Sequence, residues 1–134
     1  MDLKYWKATE FRAFILYTGV VALKGVLKRS AYIHFLSLSI AVYILSVEDD
    51  NYRNLYLNYA GGRLKFYVQN ASTEIHSLFT VYNVHNLLHI VDNVRHYNAP
   101  IQDISAFPFE NFLQKIKVYT WHAVPFRRNH KALL

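Results

Sequence analysis

The sequence contains no cysteine, so disulfides and thiolate metal ligands within the chain are excluded. Glycine and proline are scarce, with four and three copies in 134 residues, which points to long elements and few tight turns. Charge is also thin: only 18% of residues are Asp, Glu, Lys or Arg. Acids are the rarer sign, nine against fifteen bases, and residues 115–131 hold Lys115, Lys117, Arg127, Arg128 and Lys131 with no acid among them. No glycine-rich phosphate loop, ordered Ser/His/Asp set or nucleophilic cysteine occurs, so most enzyme classes lack their chemistry.

Apolar material is abundant. Hydrophobic residues make up 53% of the chain and aromatics 16%, far from a disordered composition. The length suits one domain. The formal charge of +6 favours polyanions as partners. The basic stretch 115–131 reads either as a solvated terminus or as a site of non-specific contact with nucleic-acid phosphates.

Two segments are apolar enough to be compared with membrane spans. Residues 11–27 carry Arg12 and Lys24. Residues 31–47 have no formal charge, but contain one His and three Ser and fall short of the roughly 20 residues of a span. The expectation is a buried core helix in a soluble, intracellular protein with no membrane partner, since no secretory leader pattern opens the chain.

Helical periodicity organises the rest. Thr9 is an acceptable N-cap, followed by Phe11, Phe14 and Ile15, with a break or bend expected at Gly19 and a short apolar piece to about Gly25. Ser30 is the expected cap of a second helix, apolar nearly all round and therefore central. Asp49 or Asp50 caps a third that runs through roughly residues 64–68, with Tyr52, Leu55, Tyr56 and Tyr59 on one side; Gly61-Gly62 interrupts it at a cost of about 1 kcal/mol per glycine, tolerable in a long helix. Residues 74–80 add a turn or two. Asn83 caps a fourth helix, in which Val84, Leu87, Leu88, Val91 and Val94 form a buried face and His85, His89, Asp92 and His96 a polar stripe. Residues 97–105 read as a loop. Pro108 opens a fifth helix, with Phe109, Phe112, Leu113 and Ile116 buried and Glu110 in its first turn.

His85 and His89, four apart on a helix, share the geometry of helical metal pairs, and equally that of two polar-face histidines. Glu110 reads either as a ligand for a hard divalent cation or as a carboxylate favoured by the helix dipole.

The combination is more specific than its parts. YNVHNLLHIVDNV followed by ISAFPFENFLQKIK resembles the C-terminal part of CACTA-type (En/Spm-related) transposase proteins. WKATEFRAFILYTGVVALKGVL and YIHFLSLSIAVYIL resemble the helices that precede it there. The resemblance covers about residues 3–118, and the tail from Tyr119 departs from it. A more distant likeness is to the catalytic subunit of the V(D)J recombinase, a domesticated transposase with a ribonuclease-H-like core and a helical insertion before the last acid. That family holds Zn²⁺ with two cysteines and two histidines and catalytic Mg²⁺ with two aspartates and a glutamate. The resemblance implies that His85 and His89 match the zinc histidines and that Glu110 matches the third catalytic acid.

What is missing limits the implied function. The zinc cysteines and both family aspartates have no counterpart here, and a lone carboxylate does not support two-metal DNA cleavage. The expectation is a mainly α, single domain of about five helices: part of a helical insertion plus the last helix of a ribonuclease-H-like transposase core. Residues 1–118 form this unit and 119–134 a basic, poorly ordered tail. The inherited role is DNA cleavage and strand transfer, inactive in the isolated chain and without a cofactor there. Expected partners are DNA, held weakly and non-specifically in a nuclear location, and a chain carrying the missing core. The rival readings are a host-co-opted helical interaction module and a small membrane-associated helical protein.

Overall fold

A computed structural model describes residues 7–74 and 85–104. They are mainly α-helical, with five helices and no strand among the described residues. Helix α1 runs through Ala8–Ala13, a π-helical turn at Phe14–Thr18 and Gly19–Ala22. Helix α2 is Arg29–Ser46, α3 Asp50–Glu74, α4 Leu87–Tyr97 and α5 Ile101–Ile104.

The fold is organised around α2 and α3. Only residues 47–49 join them, which makes them antiparallel neighbours, and their contact is the main interface of the molecule. Ala41, Ile44 and Leu45 of α2 meet Leu57, Ala60 and Leu64 of α3, joined by Val91 and Val94 of α4. The two alanines are fully buried, and their small side chains let the helix backbones approach closely. Helix α1 packs on α2, α4 on α3, and α5 bridges α2 and α4.

The central position expected for α2 holds, and its polar residues have a structural use. By length and composition α2 is apolar enough to cross a membrane. Within the fold, Tyr32, His34, Ser37 and Ser39 of this helix meet backbone carbonyls. Tyr32 donates to Val20 O at 2.7 Å and Ser37 to Ile33 O at 3.0 Å. Buried Ser39 donates to Ile15 O at 2.8 Å, inside the π turn, where the altered hydrogen-bond register of the helix needs outside partners. His34, also buried, stacks on Tyr67 with ring centroids 4.2 Å apart and lies 2.8 Å from Tyr67 O through Nε2, which donates as N–H.

Several local expectations are corrected. Gly19 does not break α1. The irregularity is the π turn before it, and the glycine is there because of close packing: a Cβ would lie 2.7 Å from Phe14 O and 2.8 Å from Phe35 Cζ. The N-caps are Lys7 and Lys28, where the backbone is still extended, so Thr9 and Ser30 fall inside the first turns. Helix α3 runs through Gly61-Gly62 as expected but continues past residues 64–68 to Glu74, because tertiary packing along a 25-residue helix outweighs a propensity cost of about 1 kcal/mol per glycine. Its cap is Asp49, whose Oδ1 accepts the Tyr52 N–H at 3.0 Å. The expected loop at 97–105 is shorter: Pro100 opens α5, its carbonyl accepting the Asp103 N–H at 2.9 Å. The expected Asn83 cap, the turn at 74–80 beyond Glu74 and the helix starting at Pro108 lie outside the described residues.

The aromatic side of α3 is its exposed side. Tyr52, Tyr56, Tyr59 and Phe66 remain 36–51% accessible, while Arg53, Leu57, Ala60 and Leu64 face inward. No aromatic residue appears among the buried core residues described.

Candidate functional site

The histidine pair lies at the start of α4, with His89 in its first turn and His85 just before its cap. Of the face expected from spacing, Val91 and Val94 are buried and Leu87 and Leu88 half-buried, while Val84 lies outside the described residues; Ile90 beside them is also half-buried. His85, His89, Asp92 and His96 are exposed, so the polar stripe is present as expected. The helix starts at Leu87 after Asn86, whose carbonyl accepts the His89 N–H at 3.1 Å, and His85 precedes this cap. The two imidazoles still lie together, ring centroids 5.6 Å apart in an edge-on arrangement. His96 sits at the other end, edge-on to Tyr97. Asp92 pairs with Arg95 at 3.0 Å, and Arg95 also donates to Asn58 of α3 at 2.9 Å.

Two imidazoles supply two of the four ligands a closed zinc site takes. No group of three or more His, Asp or Glu side chains comes together among the described residues. These residues therefore do not by themselves fit a structural zinc ion, and no chemical step is derived through one. Glu110 and the basic residues Lys115, Lys117, Arg127, Arg128 and Lys131 lie outside the described residues.

Two features were missed by sequence reasoning. The first is Arg53, fully buried beneath the α2–α3 connection. Its guanidinium donates to Val47 O at 2.7 Å, Glu48 O at 3.4 Å and Asn98 O at 3.1 Å, and pairs with the Asp50 carboxylate. It ties the end of α2, the start of α3 and the end of α4 together. Asn98 takes the left-handed conformation there, φ 47°, and closes α4 while presenting its carbonyl to Arg53. An arginine three residues after a pair of cap aspartates gives little warning that it will be buried.

The second is a cavity of about 510 Å³ between α1, α2, α4 and α5. Phe11, Ile15, Val42, Ile90, Ile101 and Ile104 make up most of its wall. Arg12, Ser46, Asn93 and Gln102 supply the polar part. Gln102 holds α5 to the end of α2 by donating to Ser46 O at 3.1 Å, and Arg12 donates to Gln102 Oε1 at 3.4 Å. The Ser46 hydroxyl is buried without a hydrogen-bond partner among the described residues. The apolar spacing of Ile101 and Ile104 is the sequence signal for α5 within the expected loop.

No protein-family model, curated protein or solved structure matches the chain.

Proposed function

We propose that this chain is the C-terminal helical segment of a DDE-type transposase catalytic region, derived from a CACTA-type transposon and without catalysis of its own. The observation that supports it best is that His85 and His89 lie together, both exposed, at the start of α4, whose Val91 and Val94 are buried. A pair that is to meet further ligands from another segment has to be presented outward in this way. Glu110, the acid matched by resemblance, follows after His89 in the sequence. With one carboxylate in place of three, the chain holds no two-metal centre.

Three experiments test this. The nucleotide sequence upstream of the Met1 codon is expected to show, in frame or as a decayed frame, two aspartates and a C-x-x-C; an unrelated upstream sequence counts against the transposase origin. Purified protein with Mg²⁺ or Mn²⁺ is expected not to nick DNA above a Glu110→Ala control, and Glu110-dependent nicking would overturn the claim of inactivity. Zinc titration of the full chain is expected to give only weak binding that His85→Ala weakens further. Tight binding unaffected by His85→Ala and His89→Ala would remove the pair from the site.

The second reading, a helical interaction module co-opted by the host, is favoured by the exposed aromatics Tyr52, Tyr56, Tyr59 and Phe66 along α3. The basic residues Lys115, Lys117, Arg127, Arg128 and Lys131 are proposed to make weak DNA contacts. Binding to duplex DNA should fall steeply with added salt, and salt-independent binding would refute phosphate contact.

A further inference from the structure

We propose that the cavity between α1, α2, α4 and α5 is the docking site for the chain's own aromatic segment, residues 107–116. This proposal stands independently of the transposase reading.

Four observations converge on that occupant. Ile104, the last residue of α5, is itself part of the wall, so Phe107 and Phe109 follow within about 10 and 18 Å of fully extended chain. The sequence after it places Phe109, Phe112, Leu113 and Ile116 on one helical face, which needs an apolar surface to receive it. The cavity has the right size. A cavity of about 150 Å³ accepts one benzene ring, so 510 Å³ accommodates about three, and the segment supplies Phe107, Phe109 and Phe112. Charge is complementary as well: Arg12 on the wall has no carboxylate partner among the described residues, and Glu110 is the sole acid in residues 105–134.

Because the chain has no cysteine, engineered pairs report proximity cleanly. In the full-length protein, Val42→Cys with Phe109→Cys, and Ile90→Cys with Phe112→Cys, place one thiol on the cavity wall and one on the segment. Leu55→Cys with Phe109→Cys is the control, since Leu55 is 74% exposed on α3 and is not part of the wall. Oxidation with diamide is expected to give an intramolecular disulfide at least about tenfold faster for one or both cavity pairs than for the control, read as faster migration on non-reducing gels. Equal rates for cavity and control pairs, no bridge in either cavity pair while circular dichroism shows retained helix, or disulfide-linked dimers in place of monomers, would each overturn the assignment. The last outcome would make a second copy the occupant.

A second measurement does not depend on cysteine placement. Phe107→Ser, Phe109→Ser and Phe112→Ser together are expected to raise binding of anilinonaphthalene sulfonate several-fold, with the helical signal retained. An unchanged dye signal would mean that the segment does not cover the cavity.

Discussion

Glycine shows how far residue type underdetermines its role. Gly19, Gly61 and Gly62 all lie in helices, yet their surroundings differ. At Gly19 a methyl group would meet a backbone oxygen that cannot move away, and the Phe14–Phe35 edge-on contact, 6.1 Å between ring centroids, depends on that closeness. At Gly62 a methyl would meet open space. Gly19→Ala is expected to destabilise by about 1–3 kcal/mol through overpacking. Gly62→Ala should stabilise by about 0.5–1 kcal/mol through helix propensity alone. Urea unfolding of both variants checks the pair, and two shifts of the same sign would contradict the packing account. Sequence alone gives both positions the same reading, a helix weakened by glycine, because the distinguishing atoms belong to another helix or to the preceding turn.

At the scale of elements, the helices are held at their ends as much as by their faces. Asp49 caps α3, Asn98 closes α4 and Pro100 opens α5, while Arg53 gathers the end of α2, the start of α3 and the end of α4 through the Val47, Glu48 and Asn98 carbonyls and the Asp50 carboxylate. Removing Arg53 leaves those carbonyls without their donor inside the fold and opens a void. Arg53→Ala is therefore expected to cost about 2–4 kcal/mol through the carbonyls left unpaired, a large share of a domain's stability. Arg95→Ala is a matched contrast: its pair with Asp92 is exposed on both sides and should be worth no more than about 1 kcal/mol. Chemical denaturation of the two variants decides the matter, and comparable losses would show that burial of Arg53 is not what matters. The periodicity of α2, α3 and α4 was legible from apolar spacing. Their termini were less so, since several residue types suit a cap and the choice falls to wherever the chain turns.

For the whole molecule, the described helices form one layer of packing around α2 and α3, with aliphatic residues inside and aromatics outside or at the edges. One aromatic that is partly enclosed is Tyr67, stacked on His34, and burial raises its phenol above the usual value of 10.0. The sign of the consequence is fixed. Above pH about 10 the unfolded chain loses the Tyr67 proton while the folded chain keeps it, so the contribution is complete below that pH and is lost as pH rises toward the folded value. Thermal unfolding between pH 9 and about 11 should show a steeper loss in the parent than in Tyr67→Phe. Parallel curves would mean that Tyr67 titrates alike in both states.

The sequence by itself determined the helical class, the amphipathic face of α4, the exposure of His85 and His89 and the central place of α2, because each follows from spacing within one segment. It also supplied the resemblance on which the proposed function rests. Tertiary structure alone decided the burial of Arg53, the need for glycine at residue 19, the outward turn of the α3 aromatics and the cavity beside Ile104. Each of these depends on atoms brought together from distant positions. Apolar spacing indicates which face of a helix is greasy, but only the neighbouring helices decide which greasy face is covered.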